Sequence, residues 1–258
     1  MQNLYPLFEQ NRILKKEFLW SLRDYTFSHI QLEYQEYGQG IIQGCQIQVQ
    51  GSELAVGPGM IKYGGFICLM TEEQRIEYEP KDQMQYLKLK IETDRRSPDY
   101  IAYQIQLFLD RKGRQADNEF ELCRFHLRKG AQLRDHYKDF SDMETEYDTI
   151  CVLHADWGGL GGSAVAPAVT RYFAELVLEN GNSPSDDCSF SYLCLSQAGA
   201  VPVKILTDYC SRRVGKQPED RADMVDLYRS LCIILGNIRK GKEAGDRDKK
   251  ERRRILVD

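Results

Sequence analysis

Hydrophobic and polar residues follow a helical spacing at the start of the chain and an alternating one after it. Apolar side chains recur three and four positions apart over residues 11–35, which predicts an amphipathic helix. Short alternating runs separated by glycine fill residues 38–65, and alternation with period two is typical of strands with one buried face. This stretch therefore predicts a compact meander of three or four short strands.

Strand-like alternation continues beyond the glycine-rich meander. Further strands are predicted at residues 66–71, 75–79, 84–92, 100–109, 120–127 and 149–157. In the third of these, Lys88 and Lys90 share one face with Tyr86, and leucine and isoleucine occupy the other. Charged turns with Pro98 and Gly113 separate the longer runs. Residues 38–157 are thus expected to form one antiparallel, β-sandwich- or barrel-like domain.

The last third of the chain changes to helical spacing. Helices are predicted at residues 167–179, 186–197, 202–214 and 218–238. The expected fold class is α+β, with an N-terminal helix, an antiparallel β domain and a small C-terminal α-helical bundle. The expected division of the chain is a helical arm at 1–37, the β domain at 38–157, a glycine-rich linker at 158–163, a helical domain at 164–240 and a charged, disordered tail at 241–258.

Two glycines of the meander, Gly44 and Gly59, are predicted to be essential for the backbone. Gly59 follows Pro58, and this order suits the third position of a type II turn, where φ is positive. A larger residue at Gly59 is expected to strain the backbone.

Composition and charge narrow the functional classes. The net charge of −4 over 258 residues gives no electrostatic reason to expect a nucleic-acid partner. The eight cysteines are scattered without a C-x-x-C pair, which favours buried, reduced thiols in a cytoplasmic protein. No apolar run has the length of a signal peptide or of a membrane span.

Candidate chemistry is sparse along the chain. Residues 159–164 match G-x-G-x-x-A, but no second strand follows at the distance that a dinucleotide-binding unit needs. The four histidines lack metalloenzyme spacing, and the acidic loop 139–148 lacks the glycine of a calcium loop. Asp186 and Asp187 are expected to complement a helix dipole. We therefore expect no catalytic residue, no cofactor and no metal site, and hence no enzyme.

Two stretches resemble adaptor and fibre-attachment proteins from the baseplates of contractile phage tails and phage-tail-like particles. One is YGQGIIQGCQIQVQGSELAVGPGMIKYGG, which follows the predicted helix, and the other is FELCRFHLRKGAQLRDHYKDF. The resemblance covers parts of residues 30–140. It implies a structural protein, assembled into a particle in the cytoplasm, that works through protein–protein interfaces with other tail or baseplate proteins as a homo- or hetero-oligomer. The alternative is a carbohydrate- or ligand-binding β module with a helical oligomerisation domain.

Large aromatic residues crowd the N-terminal helix and do not share one helical face. Phe8 and Trp20 are predicted to lie at a subunit or partner interface, because large aromatic side chains supply much of the affinity at such surfaces. The alternative is that a second face of this helix packs on the helical bundle.

Overall fold

A computed structural model describes residues 13, 15–97, 99–215 and 223–241. Within these residues the expected α+β class is confirmed, with five α-helices and three sheets. The helices are α1 (Lys16–Glu33), α2 (Pro167–Glu179), α3 (Ser185–Ser196), α4 (Val203–Val214) and α5 (Met224–Arg239). The strands are β1 (Gly40–Gly44), β2 (Ile47–Gln50), β3 (Glu53–Val56), β4 (Gly59–Tyr63), β5 (Phe66–Met70), β6 (Gln74–Glu77), β7 (Met84–Asp94), β8 (Ala102–Asp110), β9 (Glu119–His126), β10 (Trp157–Gly159) and β11 (Gly162–Ala164).

The strands form one sheet of five and two of three. The orders are β11-β10-β1-β4-β5, β2-β3-β6 and β8-β7-β9. All strand pairs are antiparallel except β1 with β10, where Ile41 lies beside Trp157 in parallel. The meander at 38–65 thus contains four strands, which belong to two different sheets.

The hydrophobic core has two parts that meet near the middle of the chain. One part is built from the sheets and includes Leu87 and Phe120. The other is built from α2 to α5 and also holds Phe140 and Cys151, which precede the first of these helices. Trp157 packs against both parts. The helical core therefore extends back into the segment that the sequence assigned to the β domain.

The glycine-rich segment 158–163 is not an unstructured linker. It forms the tight connection between β10 and β11, which pair with each other and, through β10, with β1. The Gly38 N–H donates to the Gly159 carbonyl at 2.9 Å, and the Gly161 N–H donates to the Glu36 carbonyl at 3.0 Å. These bonds join the segment to the chain that leaves α1. The expectation of a linker was wrong. The sequence could not show the pairing of this segment with β1, because β1 lies more than a hundred residues earlier in the chain.

Two predicted elements also differ from the structure. Residues 149–157 were expected to be a strand, but they make isolated bridges, such as Arg124 with Cys151, before β10 begins. The last helix begins at Met224, where Asp223 caps it by accepting a hydrogen bond from the Val225 N–H at 3.1 Å. Of the expected tail at 241–258, residues 242–258 lie outside the described part. No helix in the part of the chain that the structure describes combines the length and hydrophobicity needed to span a bilayer.

Candidate functional site

Helix α1 displays large apolar side chains to solvent along its whole length. None of its residues is buried. Tyr25 and Leu32 are 65% and 66% exposed, and Trp20 is 49% exposed. Further exposed apolar residues on α1 are Leu19, Leu22 and Phe27. At about 100° per residue, Leu22, Tyr25, His29 and Leu32 form one outward stripe. Exposed apolar surface of this kind, interrupted here only by His29, is typical of interaction sites.

The opposite face of α1 rests on the five-stranded sheet through aromatic contacts. The ring centroid of Phe27 lies 5.8 Å from that of Phe66 in β5, and Phe66 stacks on Tyr103 in β8 with centroids 4.2 Å apart. Ile30 and Tyr34, one and two turns further on, are half-buried. This anchor fixes the helix and leaves the outward stripe exposed among the described residues.

The C-terminal end of α1 is held by a single lysine from the sheet. The Lys62 ammonium donates to the carbonyl oxygens of Tyr34, Gln35 and Tyr37 at 2.7, 2.9 and 2.7 Å. These carbonyls follow the last helical turn, where the N–H groups of the helix no longer reach them, and that of Tyr34 also accepts from the Tyr37 N–H at 3.2 Å. Desolvation lowers the pKa of Lys62, and the carbonyl dipoles compensate the buried part of its charge.

The residues predicted at an interface are only partly placed by the structure. Phe8 lies outside the described residues. Trp20 lies on α1, half-exposed, with the Lys16 ammonium 5.1 Å from the centre of its ring. Its position agrees with an interface, and its role stays a prediction. The alternative was that α1 packs on the helical bundle. The aromatic contact of Phe27 instead joins α1 to the five-stranded sheet.

The two glycines of the meander are placed side by side. Gly44 has a positive φ of 75°, but Gly59 does not belong to the glycines with positive φ. The expectation of a type II turn at Gly59 was therefore wrong. The reason for glycine is instead a close approach of two backbones, because a Cβ on Gly59 would lie 2.7 Å from the Cys45 nitrogen.

A cleft of about 610 Å³ lies where the sheets meet the start of α2. Its walls include the aromatic residues Trp157 and Tyr137, and the charged residues Asp135 and Arg171. The Asp135 carboxylate accepts a hydrogen bond from the Val49 N–H at 2.8 Å, and the Arg171 guanidinium donates to two backbone carbonyls. Both charged groups therefore already have partners at the cleft wall.

The acidic loop serves the fold. The Asp139 carboxylate caps a short 3-10 helix at Phe140–Glu144. Asp142 accepts from Arg134 at 3.1 Å, and Asp148 accepts from the Arg128 backbone N–H at 3.0 Å. Carboxylates that are fixed in this way by neighbouring donors have little freedom to bind calcium.

Asp186 and Asp187 both lie in the first turn of α3, where a carboxylate complements the helix dipole, but Asp187 has a further role. It is buried and accepts from the Tyr209 hydroxyl at 2.8 Å, and Arg213 lies 2.8 Å from the same oxygen. Burial raises the pKa of Asp187, against the opposing effects of Tyr209 and Arg213. This group ties α3 to α4 and has no access to a substrate.

The structure also brings together three ligand-type residues that the sequence analysis did not connect. The side chains of Glu146, Cys151 and His154 place one oxygen, one sulfur and one nitrogen within 4.8 Å of one another. The only local signal is the Cys-x-x-His spacing of residues 151–154. The carboxylate comes from a different turn of the same segment, so spacing alone could not reveal the group.

Comparisons with known proteins give a distant structural likeness. No protein-family model and no curated protein matches the sequence. A crystal structure of TssK matches over 94% of this chain and 70% of that chain, with 10% identity and a TM-score of 0.39. A cryo-electron microscopy structure of the TssK-TssF-TssG baseplate subcomplex of the type VI secretion system contains a chain that matches over 91% of this chain and 100% of its own length, with 8% identity and a TM-score of 0.41. At these TM-scores the likeness carries no argument about function.

Proposed function

We propose that this chain is a non-enzymatic assembly protein of the baseplate of a contractile, phage-tail-like particle, and that α1 forms one of its protein–protein interfaces. The observation that carries the proposal is the outward apolar stripe of α1, defined by Leu22, Tyr25, His29 and Leu32. The resemblance of the glycine-punctuated meander to baseplate adaptor proteins supplies the kind of particle.

The stability of α1 supports an interface on this helix. Its 18 residues span about 27 Å, and most of the stability of a helix in a protein comes from tertiary packing of its apolar face. In the described residues, packing comes from one face and from the Lys62 cap. Burying the opposite stripe on a partner would remove its leucine and tyrosine side chains from water, at about 25 cal/mol for each Å².

The charges of α1 favour a protein partner over a membrane surface. Helices that lie on membranes carry a polar face rich in lysine and arginine. In α1 the charged residues alternate in sign, with Lys16 and Glu17 followed by Arg23 and Asp24, and then by Glu33. Such a mixed pattern provides no net attraction to anionic lipid.

The decisive experiment separates assembly from folding. Leu22→Gln combined with Leu32→Gln removes two apolar side chains from the stripe and retains good helix propensity. Trp20→Ala tests separately the aromatic residue predicted from the sequence, which at about 100° per residue lies on the side of α1 opposite the stripe. We expect both variants to melt like the wild type and to lose co-purification with the tail and baseplate proteins encoded beside this gene, or self-association in sedimentation.

The matched control changes polar residues of the same helix. Ser28→Ala combined with Gln31→Ala alters two exposed positions outside the stripe, and this variant should assemble normally. Normal assembly by the folded leucine variant would contradict the proposed interface. A large drop in its melting temperature would instead show that another segment of this chain covers the stripe.

The cleft beside α2 favours a second candidate function, binding of a carbohydrate or another small ligand. Its volume suits a small ligand, and Trp157 and Tyr137 provide aromatic surface in its wall. Binding on a glycan array by the wild type, lost in an Ala168→Trp variant that narrows the cleft, would favour this function. An array without binding would leave the assembly role as the better account.

A further inference from the structure

We propose that Glu146, Cys151 and His154 form a binding site for a divalent ion of the zinc class. A thiolate, an imidazole and a carboxylate are the three side-chain groups that zinc binds in proteins. Their ligand atoms lie within 4.8 Å of one another, so an ion placed among them could reach all three with small side-chain movements. This departs from the expectation that the chain binds no metal.

The backbone holds two of the ligands in place by pairing with β9. The His126 N–H donates to the Glu146 carbonyl at 2.6 Å. Cys151 exchanges two backbone hydrogen bonds with Arg124, of 2.8 and 3.0 Å. The positions of both ligands are therefore set by the sheet and do not depend on an ion.

The third ligand, His154, lies in a turn three residues after Cys151. The Ala155 N–H closes this turn by donating to the Val152 carbonyl at 3.2 Å. His154 is exposed, Glu146 is half-buried, and the side chain of Cys151 is buried. An ion here would bind sulfur on its inner side and keep one position open to water, as in sites with three protein ligands.

Among the described residues, the ligand side chains are free of strong competing bonds. The nearest cation to Glu146 is Arg124, whose guanidinium is 3.8 Å away. Arg124 is already paired with Glu121 through two bonds of 2.7 and 3.0 Å, so it does not need Glu146.

The test uses the full chain with Zn²⁺ and Co²⁺ as probes. We expect one equivalent of Zn²⁺ to bind in calorimetry and to raise the melting temperature. Co²⁺ should give a thiolate-to-cobalt charge-transfer band that Zn²⁺ abolishes. Loss of a secondary partner already weakens metal affinity about 10–100-fold, so His154→Ala and Glu146→Gln should each weaken Zn²⁺ binding by more than about 100-fold.

Matched variants distinguish the site from adventitious binding. Cys232→Ser and His136→Ala remove a half-buried cysteine and an exposed histidine elsewhere, and both should bind Zn²⁺ like the wild type. Cys151→Ser should abolish the cobalt band. Because this buried change could impair folding, the two surface variants, checked by circular dichroism, decide the question on their own. Wild-type affinity in both of them, or no stoichiometric binding by the wild type, would overturn the proposal.

Discussion

Gly44 and Gly59 lie opposite each other as register partners of β1 and β4. A Cβ on Gly44 would lie 2.2 Å from the Pro58 carbonyl oxygen, and a Cβ on Gly59 would lie 2.9 Å from the Gln43 carbonyl oxygen. These oxygens belong to the backbone, so they cannot rotate aside, and a Cβ on Gly59 would also meet the Cys45 sulfur. The two strands approach so closely that neither position has room for a side chain.

We expect Gly59→Ala to lower the free energy of unfolding by about 1–3 kcal/mol, because the added methyl group forces the strands apart. The control is Gly236→Ala in α5, where a Cβ would meet open space. Alanine is favoured there over glycine, and this variant should gain about 0.5–1 kcal/mol. Urea unfolding measures both, and an unchanged midpoint for Gly59→Ala would refute the close approach.

Lys62→Met should loosen α1 without unfolding the sheets. The change removes three hydrogen bonds from an ammonium to the carbonyls after the helix, and one bond to a charged group contributes about 1.5–3 kcal/mol. Hydrogen exchange followed by mass spectrometry should show faster exchange in α1 and unchanged exchange in β7. Lys112→Met, at an exposed turn, is the control. Equal protection of α1 in both variants would show that the aromatic anchor alone holds the helix.

Lys88 is the most buried cation of the β domain among the described residues, with 0% of its side chain exposed. Its ammonium lies 2.8 Å from Asp110 and 2.9 Å from Glu119. Desolvation lowers the pKa of Lys88, but the bonds to both carboxylates outweigh it and leave the pKa raised. Lys88→Met leaves Glu119 without its cation, and we expect a loss of about 3 kcal/mol.

The control for Lys88 lies on the same strand. Lys90 pairs with Glu92 at the surface, and an exposed ion pair contributes only about 0–1 kcal/mol. Lys90→Met should therefore unfold at nearly the wild-type urea concentration. Similar midpoints for the two variants would show that the pairs of Lys88 contribute no more than a surface bridge.

Asp187→Asn should strongly destabilise the helical part of the chain. The amide can keep the Tyr209 hydrogen bond, but it leaves the Arg213 cation buried without a countercharge, which costs about 3–5 kcal/mol. Its neighbour Asp186 is exposed, and Asp186→Asn should change the unfolding free energy by less than about 0.5 kcal/mol. Thermal unfolding followed by circular dichroism compares the two, and equal melting temperatures would contradict the buried pair.

Asp148 should make stability depend on pH in the acid range. The side chain and backbone N–H of Arg128 lower the pKa of Asp148 below its ordinary value. Because the folded pKa is lower than the unfolded one, about 3.9, this carboxylate stabilises the fold above pH ~4 and loses its effect as the pH falls through the folded pKa. Asparagine also accepts the positive φ of 55° at this position.

Asp148→Asn should therefore be less stable than the wild type near pH 7, and the difference should shrink as the pH approaches ~2. Urea unfolding at several pH values measures it. Asp99→Asn, at an exposed loop position, should show no such convergence. A constant difference for Asp148→Asn across this range would mean that the carboxylate charge is not what stabilises the fold.

Local patterns in the sequence predicted most of the individual elements. Alternation identified β7, β8 and β9 within about two residues, because one face of each strand packs in a shared core. Helical spacing identified α2, α3 and α4, and Gly215 ends α4 in a left-handed conformation as expected, with φ of 74°. These signals are local because they follow from the geometry of one strand or helix. They therefore determined the α+β class.

Only the tertiary structure decided which distant residues pack against each face of a strand or helix. The alternation in β7 put Lys88 on the polar side, but the turn that follows β8 covers its ammonium, which donates to the Gly113 carbonyl. The segment 158–163 pairs beside β1, and Gly59 faces Gly44. Glu146 comes close to Cys151 and His154 because the backbone of Glu146 and that of Cys151 both bond to β9. The sequence by itself determined the individual elements, and it identified the helix with excess apolar surface. The contacts between distant residues were decided by the tertiary structure. Spacing along a chain carries no information about which distant group fills the space opposite a side chain.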